Sequence, residues 1–345
     1  MEPVGTEPAR LWMKLTPQLG GLPAGPPITS ESAITLRSPG DFGLTTLVRD
    51  LPETAELTVG GTVPIRLNSL SLTLAGTPPN APKRPFLTNP SSCSSATISI
   101  DATSKDGTRA SAATTPFTPT GCDTLPFAPK LSATVGGTAK APSFTSTVLG
   151  TDGDSTLRAL QLTLPPALTA SFAALSKSCL QAVYAAGNCA PNAVVGSVRA
   201  ESPLIPLPLT GPVTLVKLDN QVLPALAMKL RGAFNIDLLV QNGLAGGRLQ
   251  STIDGVPDAP ISKFDLTLDS GGLLQSSTKT LCAAPANADG SFTAHSGKVV
   301  TAVVPVDVSA VCGAGPGPAG PDPAAPKLSG SLMGTRKGSV PSLRL

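Results

Sequence analysis

The feature that most constrains this chain is a repeat marked by cysteines. Cys93 and Cys122 are followed by Ala128-Pro129-Lys130-Leu131-Ser132, and Cys282 and Cys312 by Ala325-Pro326-Lys327-Leu328-Ser329. The match runs on: Gly137-Thr138 with Lys140 recurs as Gly334-Thr335 with Lys337, and Pro142-Ser143-Phe144 as Pro341-Ser342-Leu343. A strand-like run precedes each cysteine pair, Leu70 to Leu74 and then Phe264 to Leu268. The start of the chain carries a shorter echo. Leu11-Trp12-Met13-Lys14-Leu15 matches Leu226-Ala227-Met228-Lys229-Leu230, and Arg49-Asp50-Leu51-Pro52 matches Asp254-Gly255-Val256-Pro257. Each copy of such an array packs chiefly on its neighbours. The period divides the chain into 1–127, a partial unit with the first cysteine-paired module; 128–314, a complete unit; and 315–345, a linker and the start of a third. The insertion between Gly313 and Ala324 is almost wholly Gly, Pro and Ala. A chain laid out this way reads as a fragment of a longer protein.

Composition narrows the class. Charged residues are 14%, against about 25% in ordinary domains, while 37 prolines and 34 glycines exclude long helices and favour short strands with tight turns. The net charge is +3 and aromatics are 3%. A nucleic-acid binder needs a basic stripe with stacking aromatics, and no basic run here exceeds Arg336-Lys337. No window offers eighteen uninterrupted apolar residues, so no transmembrane helix is expected. Val299 to Val311 is the most apolar stretch and reads as a buried strand. Met1 to Gly5 has no basic and apolar leader pattern. That absence follows if a signal peptide lies upstream of a fragment.

The cysteines are separated by 29, 10 and 30 residues. Equivalent positions in two copies should pair alike, giving Cys93–Cys122 and Cys282–Cys312 and leaving Cys179–Cys189. Structural disulfides persist outside the cytoplasm, so this pairing points to an exported protein. Zinc is the competing chemistry, but its sites need closely spaced cysteine pairs, which the chain lacks; buried free thiols are the other alternative. His295 is the sole histidine. It sits in a strand entering a turn and is expected to be structural. Neither a Gly-x-Ser-x-Gly elbow nor a phosphate-cradling loop is present. We therefore assign no catalytic, cofactor-binding or metal residue. Two acidic turns remain calcium candidates: Asp152-Gly153-Asp154-Ser155, and Asn287-Ala288-Asp289-Gly290-Ser291. Asp-Gly between strands is also the standard hairpin signal, and we read both as hairpin turns.

Period-two alternation marks strands in Thr97–Ala102, Ile65–Leu74, Leu160–Leu164, Ala193–Ala200, Val213–Lys217, Phe234–Val240, Gly247–Ile253, Phe264–Leu268 and Lys298–Val308. One short helix is expected over Ser171–Ala186, ended at Gly187-Asn188. The fold class is all-β: tandem β-sandwich modules, of which an immunoglobulin-like topology is one candidate, with disulfide-closed loops. Four runs carry a resemblance: Phe86 to Cys93, Asp152-Gly153-Asp154 leading to Leu160–Pro165, Cys189-Ala190-Pro191, and Val256-Pro257-Asp258-Ala259-Pro260-Ile261-Ser262-Lys263-Phe264. They resemble a family of large, repeat-containing secreted actinobacterial proteins of uncharacterised activity. That resemblance implies export and repeats, and no catalytic residues.

The resulting expectation is a non-enzymatic extracellular or cell-envelope structural and interaction protein, partnered by envelope components or other repeat units, with no cofactor. The alternative is a carbohydrate- or ligand-binding module using Trp12 or Tyr184 as its aromatic contact. An enzyme is the third class, and it would need a site the sequence does not display.

Overall fold

The computed structural model describes residues 9–19, 22–37, 43–49, 51–58, 60–65, 88–205, 207–219, 221–270, 273–276, 278–283, 285–313, 331–333 and 342–344. The sequence-derived strand beyond Ile65, Phe86-Leu87 and nearly all of the Gly-Pro-Ala linker lie outside them. In the N-terminal region, β1 (Ala9–Leu15) is followed by the small ladder of β2 (Gln18–Leu19) and β3 (Leu22–Pro23). Next come β4 (Ile28–Leu36) and β5 (Leu44–Val48), which complete a three-stranded antiparallel sheet in the order β1-β4-β5. Two separate hairpins follow, β6 (Thr54–Glu56) with β7 (Thr62–Pro64), and β8 (Ser99–Thr103) with β9 (Arg109–Ala113).

From Lys130 the chain builds a closed ring. β10 (Lys130–Gly137) and β11 (Pro142–Leu149) form its first hairpin, and β12 (Leu157–Thr163) starts the opposite wall. After β13 (Thr169–Ala170) come helix α1 (Phe172–Leu175), β14 (Cys179–Leu180) and helix α2 (Gln181–Ala185). The wall resumes with β15 (Val194–Glu201), β16 (Leu209–Lys217), β17 (Ala225–Leu230), β18 (Ile236–Ala245), β19 (Arg248–Ile253) and β20 (Lys263–Leu268). It ends with β21 (Leu274–Gln275), helix α3 (Thr278–Leu281), β22 (Asn287–Ala294), β23 (Val299–Asp307) and helix α4 (Ser309–Cys312). A last hairpin joins β24 (Ser331–Met333) to β25 (Ser342–Arg344).

The ring order is β16-β15-β20-β11-β10-β23-β22-β12-β19-β18-β17, and β17 pairs back onto β16 from Val213↔Met228 to Val216↔Ala225. Eleven strands thus close on themselves, while β14 adds to β16 from outside through Cys179↔Val216. Closure removes the open edges of a sheet. Two contacts depend on it. β10 and β23, the first and last strands, meet in parallel through Ala133↔Val306 and Thr134↔Asp307. At the β16–β17 seam, Gly211 lets the backbones approach closely, since a Cβ there would lie 1.8 Å from the Lys229 carbonyl oxygen.

Alternation explains why the ring holds. Along β11, Phe144 and Val148 are buried while Ser143, Thr145 and Thr147 lie on the other face. Along β22, Ala288, Gly290, Phe292 and Ala294 are buried in the same way. Val135, Phe144, Val213, Leu215, Met228 and Leu230 fill the interior. Each fully buried large aliphatic or aromatic side chain stabilises the fold by about 1.5–3 kcal/mol. The outer face is polar: Thr147 Oγ1 donates to Asp265 Oδ1 at 2.6 Å, Lys263 pairs with Asp265 at 2.8 Å, and Arg199 with Glu201 at 2.7 Å.

The all-β expectation stands, but the arrangement is one eleven-stranded barrel and not tandem sandwich modules. Alternation reports that a strand is half-buried; it does not report which strand lies beside it. The expected Ser171–Ala186 helix is broken into α1 and α2, because Cys179 is buried and pairs with β16, and the Ser176 hydroxyl bonds back to the Ala173 carbonyl. Asn287–Ser291 is not a turn: it opens β22, paired with β23 throughout and with β12 from Asp289 onward. Asp152–Ser155 does turn, with Gly153 at φ 88°, but it makes no hairpin, since β11 and β12 are not neighbours. Val299 and Val303 point outward and are exposed, so that stretch is only half-buried.

Candidate functional site at the mouth of the barrel

All six cysteines are bridged: Cys93–Cys122, Cys179–Cys189 and Cys282–Cys312, with Cα atoms 5.7, 5.5 and 5.6 Å apart. The first and third bridges each close the base of a hairpin, β8–β9 and β22–β23. The second ties β14, just ahead of α2, to the segment entering β15.

A cavity of about 220 Å³ opens between the β11–β20 wall and the β12–β19–β18 wall. Val148, Leu160, Leu238, Ile253 and Phe264 line it from the strands, and Phe127 from the segment ahead of β10. The 254–262 connection adds Val256, Pro260 and Ile261. Residues 150–156 cross between the walls and bring the polar groups of Asp152, Asp154, Ser155 and Thr156 to its lining. Barrel mouths commonly hold small ligands in pockets of this character, apolar with a few polar groups. The crossing is pinned, because Asp154 Oδ2 accepts from the Ala128 N–H at 3.0 Å and Ser155 N–H donates to the Pro126 carbonyl at 2.8 Å.

Beside the cavity lies a part-buried polar cluster centred on Asp258. Its Oδ1 accepts from Ser91 Oγ at 2.8 Å and from Thr156 Oγ1 at 2.5 Å, and its Oδ2 accepts from the Ser92 N–H at 2.8 Å. His295 Nδ1 lies 3.9 Å from Asp258 Oδ2, and His295 Nε2 lies 2.8 Å from the Val256 carbonyl. A carbonyl only accepts, so Nε2 carries the proton. Burial on its own raises the Asp258 pKa; the bonds from Thr156, Ser92 and Ser91, with the nearby His295, outweigh it and hold the carboxyl below the ordinary aspartate value. The cluster contains Ser, His and Asp, yet the connections differ from those of a nucleophilic triad. There the serine bonds to the imidazole and the carboxylate orients that imidazole. Here Ser91 bonds to the carboxylate, and Nε2 is engaged by a backbone carbonyl. The arrangement fastens the segment ahead of Cys93 to the barrel.

His295 therefore lies in the turn after β22, as a clamp on Val256. Trp12 is half exposed on β1, whereas Tyr184 on α2 is partly buried with Lys229 Nζ 4.3 Å above its ring. Trp12 belongs to the N-terminal sheet and Tyr184 to a helix beside the barrel strand β16. Burial, followed by the charge of Asp237, raises the Tyr184 pKa. Among the calcium candidates, Asp289 forms an ion pair with Arg248, and Asp152 and Asp154 sit in the crossing. Among the described residues no group of three His, Cys, Asp or Glu side chains could hold a metal ion. Nor is any helix there long and apolar enough to cross a membrane. Sequence reasoning did not single out Ser91, Thr156 or Asp258. The available signal was the run Val256–Phe264, whose Asp258 anchors the cluster and whose apolar residues line the cavity. No protein family, curated protein or solved structure matches the chain.

Proposed function

We propose that this chain is a non-enzymatic structural and interaction protein of the extracellular or cell-envelope space, built of repeated β units. The observation that carries this reading is a recurrent cross-linked hairpin. β8–β9 and β22–β23 share one register, Thr103↔Arg109 against Thr293↔Val299, with Gly107 and Gly297 both at φ 87° in the turns. Each is closed at its base by its own disulfide. Repeats braced by local bridges suit a scaffold exposed to an oxidising environment. The resemblance to secreted actinobacterial repeat proteins supports the same conclusion.

Fractionating the producing cells, with thiol alkylation before and after reduction, tests the reading. We expect protein in the envelope or medium with no alkylation until it is reduced. Cytoplasmic protein with reactive thiols overturns export, and turnover of an ester, glycoside or peptide panel that is lost on Asp258→Asn or His295→Ala overturns the non-enzymatic assignment. The cavity favours a second reading, a module that binds a small apolar ligand at the barrel mouth. Titration with a fluorescent fatty acid distinguishes it: saturable binding abolished by Leu160→Arg establishes the pocket as a site.

A further inference from the structure

The N-terminal strands reproduce one half of the barrel, register for register. Leu15 of β1 stands opposite Ile28 of β4, as Leu230 of β17 stands opposite Ile236 of β18. Four residues along, Ser32 faces Val48 of β5, as Val240 faces Ile253 of β19. The residues that leave those strands, Arg49 to Pro52 and Asp254 to Pro257, are the pair already matched in sequence. In this frame β1, β4 and β5 correspond to β17, β18 and β19, and β8–β9 corresponds to β22–β23. The counterpart of β20 is the run Leu70 to Leu74, outside the described residues.

In the barrel a single strand, β12, joins those two groups: Leu160 pairs with Ile253 on one side and Phe292 on the other. At the N-terminus the equivalent positions are Val48 and Ala102, and the described residues pair no strand with the free side of β5 or β8. Several apolar side chains along those edges are uncovered. Leu44 is 43% exposed where its counterpart Leu249 is 4% exposed, and Ile98 is 57% exposed where Ala288 is fully buried. The inward positions Ala288, Gly290 and Phe292 become Ile98, Ile100 and Ala102, so the bulk shifts along the strand while the face stays apolar. The opposite half also recurs. In β24–β25, Leu332↔Leu343 and Met333↔Ser342 repeat Val135↔Phe144 and Gly136↔Ser143 of β10–β11.

We propose that β1–β4–β5 with β8–β9 is the closing half of a second barrel, and that its binding partner is the opening half of another unit of this repeat: strands equivalent to β10, β11, β12, β15 and β16. The proposal rests on the repeat reading above and names the partner that reading leaves open. Its argument is continuity with an interface the molecule already makes, because every edge left uncovered here is an edge those five strands cover in the central barrel.

The test grafts a second copy of residues 128–223 directly ahead of Ala9 in the full chain, which places the graft in the frame of Leu11 on Leu226. Gln161 pairs with Thr252 in the barrel, and Leu47 is the counterpart of Thr252. Gln161→Cys in the graft with Leu47→Cys should therefore form a disulfide. Amide exchange over 44–48 and 99–103 should slow by about 100-fold, with the central barrel unchanged. A graft carrying Val213→Asp and Leu215→Asp should give neither effect. Absence of cross-link and protection overturns the proposal while the central barrel stays protected, and so does an unprotected graft, since the same sequence folds in the same molecule. Self-association of the unextended chain that disappears when 331–344 is removed would supply the same kind of partner from a second copy, since β24–β25 repeats β10–β11, and supports it. None of these outcomes touches the export or activity assays, so this proposal and the functional reading fail separately.

Discussion

Replacing Asp258 by Asn tests whether the polar cluster is the fastening that holds the segment ahead of Cys93 to the barrel. The amide keeps the size of the carboxylate, and its oxygen can still accept from Ser91 and Thr156. Its NH2 group, however, then faces the Ser92 N–H across a contact that is 2.8 Å in the native protein, and two donors oppose each other. A hydrogen bond to a charged acceptor is worth about 1.5–3 kcal/mol. One such bond is lost and two are weakened, so the variant should lose about 3 kcal/mol. At about 2–4 °C per kcal/mol for a unit of this size, Tm should fall by about 6–12 °C at pH 7. The effect has a signed pH dependence. The folded Asp258 pKa is lowered, so its stabilisation is present above the unfolded value of about 3.9. It is lost as pH falls through that value towards the folded one. Calorimetry of both proteins should therefore show a gap that is full above about pH 5 and narrows as pH falls below about 3.9. Amide exchange should also accelerate at Ser92. Equal melting at pH 7, or a gap unchanged at low pH, would refute the clamp.

Two further results are expected. Gly211→Ala should destabilise the barrel by about 1–3 kcal/mol or more, because the new Cβ meets the Lys229 backbone oxygen, whereas Gly243→Ala on β18, with nothing within 4 Å, should fall within about 0.5 kcal/mol of wild type; equal denaturant midpoints would refute the close-approach argument. Removing Cys282–Cys312, a separation of 30, should cost about 3.7 kcal/mol in the chain-entropy account, and removing Cys179–Cys189, a separation of 10, about 2.8 kcal/mol; urea titrations of the double-alanine variants that reverse this order would contradict it.

Much of the strand content was legible because alternation is local: all of Leu160 to Leu164 but its last residue falls within β12, and Phe264 to Leu268 within β20. Ring closure was not. It depends on Ala133 meeting Val306 across most of a unit, and no residue in either strand names its neighbour. The Asp-Gly signals misled for a related reason. Gly290 lies in a strand because its bare backbone accommodates the Phe292 ring, whose Cε2 would sit 3.0 Å from an added Cβ. Asp258 was hidden because its role comes from Ser91 and Thr156, more than a hundred residues away in sequence. A lone carboxylate between prolines carries no local sign of such partners.

The parallel meeting of β10 and β23 has a consequence for how such a chain can grow. The polypeptide completes a full circuit of the wall and leaves beside the strand on which it entered. On the repeat layout proposed above, duplication or deletion of one period in the gene would add or remove a closed body whose entry and exit strands lie side by side. On that layout chain length would change by whole barrels through recombination, and no strand of the closed ring would have to find a new neighbour.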